Sequence, residues 1–424
     1  MIPLSDAQEF VVEACTRGTP SPVPIDEALG CVVGEDVAAV EHVPPFVNSS
    51  RDGYALRAAD TSVDGAGPVT RLAVVGSIMA GSTLDHPLGP GQAARIMTGA
   101  PLPDGADAVC MLEHCSDEAG GTVVVIDHQV AAGAAVRGVG EDVRIGDIVA
   151  EAGTVLTPGH LGVLANQGMD VVRVHPRPVV GVLSTGDELA TGPGPLAPGQ
   201  IRDANRHTLL GLVRREGWHA VDLGIVGDDE AALGRLLDQA GASCDAILTS
   251  GGVSVGDLDI VTVVLDGRCG GTMRWMQVAI QPAKPFAFGT LEGSGTPVFG
   301  LPGNPVSAMV SFELFVRPGL RRVAGHRVLH RAAMSVVADT DLHRRVDGKI
   351  HFVRSHVWWD EEGQWRLRPL AAQDSHQLLA MAAANALAVL PDGVGVDAGG
   401  RIDVLYTDPE WSSPDRATSG GRTR

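Results

Sequence analysis

The sequence predicts an α/β and β multidomain protein, with a central α/β unit on a parallel-rich sheet flanked by regions of short strands. Three observations carry that prediction. At 424 residues the chain exceeds what one hydrophobic core supports, so two to four domains of about 100–150 residues are expected. From Pro178 onward apolar strands alternate with helical patterns, the signature of a parallel sheet covered by helices. Elsewhere short apolar runs are punctuated by glycine and proline, as in Gly65-Ala-Gly-Pro68 and Leu88-Gly-Pro-Gly91, or alternate with polar residues.

Taken in order, residues 6–16 read as an amphipathic helix ended by the proline-rich stretch Thr19–Pro24. Val33–Val43 reads as a strand region leading to Pro44-Pro45, and about 47–150 as a small β-rich module. A helix over Pro158–Gln167 and a strand over Asp170–His175 follow. In the α/β stretch the expected strands are Val179–Ser184, Ala220–Ile225, Ala246–Ser250 and Pro297–Leu301. Helices start near Asn205, Asp229, Asp257 and Pro305, with Asn205 as N-cap and Pro305 as a first-turn proline. Thr191–Gly199 is a surface loop. After Gly325, Lys349–Trp359 and Ala388–Leu390 read as strands of a C-terminal β domain, and the polar tail is expected to be disordered.

Composition narrows the function. With 51 Asp+Glu against 32 Lys+Arg the net charge is −19, which argues against nucleic acid as a partner. No apolar run approaches the roughly 20 residues of a membrane helix, so no membrane association is expected. The start, Met-Ile-Pro-Leu-Ser-Asp-Ala-Gln-Glu, has no signal-peptide pattern, and a cytoplasmic address is expected. Cys15, Cys31, Cys110, Cys115, Cys244 and Cys269 form no C-x-x-C pair and read as free thiols. Cys110 and Cys115 with His114 suggest a metal cluster, but no second ligand pair accompanies them, so that reading is set aside.

Chemistry concentrates where strands end. Asp245–Ser250 runs into Gly251-Gly-Val-Ser-Val-Gly256 and then Asp257 and Asp259, a glycine loop beside acids. Such a junction offers backbone N–H groups to an anion, and adjacent carboxylates imply a hard cation shared with it. Ser184-Thr-Gly-Asp-Glu188, Asp203-Ala-Asn205 and Leu301-Pro-Gly-Asn-Pro305 sit at the other strand ends. Each alone is an ordinary turn sequence, but ligands of open parallel sheets bind at that edge, so one crevice can collect all four.

Gly252-Val-Ser-Val-Gly256 matches the G-x-S-x-G elbow of serine hydrolases, yet no oxyanion-loop segment precedes it, and Ser254 reads better as a phosphate donor. Neither Lys284 nor Lys349, the only lysines, lies in a P-loop motif. Lys284, between prolines in Gln281-Pro-Ala-Lys-Pro285, is a candidate point-charge ligand for phosphate. A turn is enough to explain Asp52-Gly53, a bend Thr98-Gly99, and a surface ion pair Arg137 with Glu141-Asp142.

Asp52-Gly-Tyr-Ala, Arg95-Ile-Met-Thr-Gly-Ala-Pro101, Gly140-Glu-Asp142, Ser184–Leu189, Ser250–Gly256 with Asp259, Lys284-Pro285 and Leu301–Ser307 occur in an order that resembles the molybdopterin molybdenumtransferase family, which includes the E domain of gephyrin. The resemblance spans roughly residues 5–407. It implies an elongated N-terminal domain (1–45 and 138–176), an inserted β module (46–137), an α/β molybdopterin-binding domain (177–326), a C-terminal β-barrel-like domain (327–408) and a disordered tail (409–424). It also implies a homodimer and the Mg2+-dependent reaction of adenylated molybdopterin with molybdate, giving molybdenum cofactor and AMP. An upstream adenylyltransferase and recipient molybdoenzymes would then be partners.

Carried onto this sequence, the resemblance implies that Ser250, Gly251, Gly252, Ser254, Asn304 and Pro305 hold the pterin phosphate and adjoining groups, with Pro285 and Ser307 in the same motifs, while Asp203 and Asn205 shape the pterin pocket. Glu188, Asp228 and Asp259 position the cation. Asp52, Thr98 and Asp142 complete the cleft from the neighbouring chain, Arg137 is a substrate-binding residue, Lys284 draws in molybdate or neutralises developing charge, and Arg354 and Ser375 are oxyanion ligands. Gln281 and Thr262 stand where many members carry lysine, Val47 and Arg51 alter the first motif, and Gly138 replaces a frequent arginine. A non-catalytic molybdopterin-binding scaffold or paralogue, and the adenylyltransferase itself, are the alternatives.

Overall fold

The computed structural model describes residues 1–61, 69–252 and 260–408. Ser254, Asp259, the helix start expected near Asp257 and the tail 409–424 lie outside the described residues.

Six strands form the central sheet, in the order His219–Val226, Val179–Thr185, Ala246–Ser250, Pro297–Leu301, Pro285–Thr290, Arg274–Gln277. The first four are parallel. The last two are antiparallel additions that the sequence reading missed. Alternation along Val179–Thr185 explains how both faces are covered. Val180 and Val182 pack with Leu209, Leu210 and Val213 of the helix Asn205–Arg215. Leu183, with Ile247, packs with Leu233 and Leu237 of the helix Glu230–Gly241 on the other face.

Asp229 caps that second helix, its side chain accepting from Ala232 N–H. Asn205 does not cap the first one. The N-cap is Ala204, and Asp203 Oδ1 instead accepts the Arg206 N–H at 3.1 Å, which leaves the Asn205 amide free to reach elsewhere. Pro305 opens the helix Pro305–Ser311 as expected, with Asn304 before it.

The helix Leu4–Ala14 starts two residues earlier than the pattern suggested. It buries Ala7 and Val11 in the central core, and Phe10 meets Phe288 edge-on at 5.8 Å. Thr19–Pro24 is more than a helix stop: Ser21–Pro24 is a strand on the edge of a three-stranded sheet with Val171–His175 and Val32–Val33. Two prolines are tolerated there because an edge strand has one side unpaired. Val33–Val43 yields only the short strands Val32–Val33 and Val37–Ala38.

Between those segments lies a second six-stranded sheet, ordered Ala108–Met111, Gly53–Leu56, Gln92–Ile96, Thr70–Ile78, Val123–Ile126, Cys115–Glu118. Gly53 is not a turn residue. It begins a buried strand, and a Cβ there would stand 2.0 Å from the Cys110 carbonyl oxygen, so only glycine lets the two strands pair. In the C-terminal part, Ile350–Trp359, Trp365–Pro369, Ala333–Ala338, Arg401–Tyr406 and Ala386–Leu390 pair in turn, and the last pairs back to the first. That closes a five-stranded barrel around Val336, Val357, Leu367, Ala388 and Val404. Ile280–Gln281 adds in parallel to Ile350-His351 and ties the barrel to the central sheet.

Candidate functional site

The parallel register sets the site. Ser184 pairs with Ser250, and Ser250 with Leu301, so the carboxyl ends of three strands finish level and their loops leave on one edge. In chain order the four parallel strands lie 2-1-3-4, so the order reverses between Val179–Thr185 and Ala246–Ser250. A crevice is expected outside such a reversal. One is there: a cleft of about 180 Å³, partly open to solvent, is lined by Ser184, Thr185, Glu188, Asp203, Asn205, Ser250, Gly251, Gly303 and Pro305 among others.

Its walls are held by hydrogen bonds between loops. The Asn205 amide donates to Ser250 Oγ and to the Gly303 carbonyl, each at 2.7 Å, binding three of the sequence signatures to one another. Gly251 has φ +99°, and a Cβ would lie 2.8 Å from the Thr185 carbonyl; Gly252 has φ +72°. A side chain at Gly251 is excluded by backbone conformation and by space, which is why the loop can hug the neighbouring strand. Beneath the cleft Ser184 Oγ donates to Asp203 Oδ1 at 3.0 Å and Arg206 Nε to Asp203 Oδ2 at 2.9 Å, while Arg206 also binds Asp222. Asp203 is thus a buried wall whose oxygens are already engaged. Burial works against the Arg206 charge, but bonds to Asp222 and Asp203 outweigh it and raise its pKa. Arg206 and Asp222 were missed in the sequence; the only signal was the i,i+3 spacing of Asp203 and Arg206.

Glu188 and Asp228 are exposed on the loops following Thr185 and Val226. Glu188 folds back so that a Cβ on Gly186 would meet Glu188 Oε2 at 2.3 Å, and Asp228 N–H donates to Asp187 Oδ1 at 3.0 Å. Neither belongs to a compact ligand cluster among the described residues.

A second group adjoins the first. Pro285–Thr290 runs antiparallel to Pro297–Leu301 with Ala287 opposite Gly300, so Lys284 and Pro285 stand at the edge where Leu301 ends. Lys284 is exposed and forms no ion pair with the described residues. Parallel pairing of Gln281 with His351 sets the Lys284 loop beside the strand that carries Arg354. Arg354 is fully buried; Nε and Nη2 donate to the Ala372 carbonyl at 3.3 and 2.8 Å, and Nη1 has no hydrogen-bond partner among the described residues. Burial lowers its pKa, opposed only by the Asp374 charge. Next to Asp374, the Ser375 carbonyl accepts the Val306 N–H at 3.2 Å, which brings Ser375 to the Pro305 turn. Ser307 is buried on that turn, and Asn304 is exposed.

The third group stays apart within one chain. Asp52 Oδ1 accepts from Thr98 N–H at 2.7 Å and Thr98 Oγ1 at 2.8 Å, and these bonds lower the Asp52 pKa. Arg137 pairs with Asn48 in a short ladder, exposed and without an ion pair among the described residues, while Glu141 accepts from Gly138 N–H. Asp142 is exposed, its N–H donating to the Val43 carbonyl.

Comparison with known proteins shows what the chain is similar to. Residues 2–168 match the family described as "MoeA N-terminal region (domain I and II)", 181–322 the "Probable molybdopterin binding domain", and 337–406 the "MoeA C-terminal region (domain IV)". Molybdopterin molybdenumtransferase 2 of Mycobacterium tuberculosis (strain H37Rv) is 40% identical over 408 residues, 95% of this chain and 98% of its own length. Molybdopterin molybdenumtransferase of Haemophilus influenzae is 37% identical over 382 residues, 90% of this chain and 92% of its own. The crystal structure of a molybdopterin biosynthesis protein from Pyrococcus horikoshii superposes with a TM-score of 0.79 at 29% identity, covering 96% of this chain and 99% of that one.

Proposed function

This chain belongs to the molybdopterin molybdenumtransferase family and has a role in molybdenum cofactor biosynthesis, and from that premise we propose that it inserts molybdate into adenylated molybdopterin with release of AMP, assisted by Mg2+. The observation that carries the reading is the donor-lined cleft between Ser184 and Ser250 at the carboxyl edge of the sheet, with Lys284 beside the end of the Pro297–Leu301 strand and the Ser375 carbonyl on the Val306 N–H. A phosphorylated pterin and an oxyanion are substrates that such neighbours can hold together.

In this reading the turn at Gly251-Gly252, with Ser250, Ser254 and Asn205, holds the pterin phosphate by main-chain and hydroxyl donors, while Asn304, Pro305 and Ser307 supply the opposite lip. Arg354, whose Nη1 has no hydrogen-bond partner among the described residues, and the exposed Lys284 attract molybdate, with Ser375 at the Pro305 turn. Glu188, Asp228 and Asp259 are hard oxygen donors suited to Mg2+, which commonly takes one or two carboxylates together with substrate phosphates. Bound there, Mg2+ would supply charge neutralisation at the departing phosphate. Asp52, Thr98, Arg137 and Asp142, apart from the cleft in a single chain, complete it across a homodimer. The division at 45/46, 137/138, 176/177 and 326/327 belongs to the same reading.

The test is direct. Adenylated molybdopterin, Mg2+ and molybdate are mixed with the purified chain and AMP is followed. Molybdate-dependent AMP release is expected, and Asp259→Ala or Asp142→Ala should abolish it. Wild-type turnover by both variants refutes their assignment; ATP consumption with free molybdopterin, without AMP release, identifies an adenylyltransferase instead.

A further inference from the structure

The β module carries a cluster of metal-binding side chains that the cleft does not use. His114 ends the short turn Leu112–His114, and Cys115–Glu118 begins immediately after it. Val123–Ile126 pairs antiparallel with that strand, Ile126 opposite Cys115, so Asp127 and His128 emerge beside His114. The Asp127 N–H reaches the His114 carbonyl at 3.4 Å. The second pair of ligands that was absent from the sequence around Cys110, His114 and Cys115 is therefore delivered by strand register.

The geometry is compact. Asp127 Oδ1 lies 2.8 Å from His128 Nδ1 and 3.6 Å from His114 Nδ1, and the imidazole centroids are 4.7 Å apart at 64°. One ligand atom from each of the three residues falls within 4.8 Å of the others. The side chains of His114 and His128 are 45% and 44% exposed, which leaves a solvent side for water or a further ligand. Cys115, half-buried, neighbours the group, and its thiol contacts Cys110. Two imidazoles and one carboxylate form a borderline donor set; zinc-class ions prefer it, whereas Mg2+ prefers oxygen alone. The other cluster among the described residues, Asp341, His343 and Asp397, has one imidazole and lacks that selectivity.

We propose that His114, Asp127 and His128 bind one zinc-class divalent cation at the surface of the β module, separate from the cleft. The cation would cross-link the Leu112–His114 turn to the end of Val123–Ile126, pinning an edge of the sheet.

Metal-free full-length chain is titrated with Co2+ in excess Mg2+, which occupies oxygen-only sites, and Zn2+ is then added. One equivalent of Co2+ with a visible d–d band, displaced by Zn2+, is expected. His114→Ala and His128→Ala should each weaken binding by at least about tenfold, while His343→Ala leaves it unchanged. Both positions are half exposed, and melting of the metal-free variants at the wild-type temperature verifies that the fold is intact. Absence of stoichiometric Co2+ binding, binding unaltered in both variants, or its loss in His343→Ala overturns the proposal.

Discussion

Arg206 under the cleft and Arg354 in the barrel are both buried, yet their surroundings differ. Arg206 is clasped by Asp203 and Asp222. Arg354 donates to a carbonyl oxygen and forms no ion pair among the described residues, where one of its nitrogens has no hydrogen-bond partner and only the Asp374 charge opposes its burial. A buried guanidinium with two carboxylates is neutralised and serves to hold a wall in place. One without them keeps its charge with less compensation in the interior, at some expense to stability. The contrast separates architecture from binding where burial alone does not.

The largest expected effect breaks the first half of that contrast. Arg206→Met strands Asp203, whose side chain is 2% exposed, and should cost about 3–5 kcal/mol of stability in urea denaturation. A loss under about 1 kcal/mol would mean that Asp203 is neutralised some other way.

His326 extends the comparison to a cation that can discharge itself. Its Nδ1 lies 3.1 Å from Arg321 Nη2, and burial followed by the Arg321 charge pushes its pKa down to about 4. The unfolded chain binds the proton from about pH 6.5 downward, whereas the native chain resists until about pH 4. Stability is therefore complete above the upper value and falls as pH drops through that window, by about 3 kcal/mol at most. His326→Asn should flatten this part of the stability profile; an unchanged slope contradicts the assignment.

Arg354→Met sharpens the second half. Replacing an uncompensated buried charge should leave stability within about 1 kcal/mol of wild type or raise it, while the molybdate concentration for half-maximal AMP release rises by about tenfold or more, equivalent to about 1.4 kcal/mol. Equal losses of stability and activity would make Arg354 a structural residue like Arg206. The smallest effect belongs to Asn205→Ala. Two hydrogen bonds are removed at a partly open site, so about 1 kcal/mol of stability should be lost, together with affinity for the pterin substrate in equilibrium binding.

Much of this was legible in the chain. Ala246–Ser250 and Pro297–Leu301 are short apolar runs bounded by Gly, Pro or Asp, and both strands form with the bounds expected. Asp229 and Pro305 mark helix starts because capping and first-turn preferences act over only a few residues. Pro285–Thr290 escaped because an antiparallel strand added to a parallel sheet is not announced by the βα rhythm. Asn205 was assigned a cap because its residue type suits one; the tertiary partner Ser250, 45 residues away, claimed the side chain instead.

The sequence by itself determined the parallel strands of the central sheet, where they stop and which polar groups follow them, since these depend on local periodicity and turn chemistry. Tertiary structure decided which stops lie side by side, whether Arg206 or Arg354 finds a carboxylate, and that Asp127 and His128 return to His114. Those outcomes depend on strand order and register, which bring together residues too far apart along the chain for any local preference to couple them.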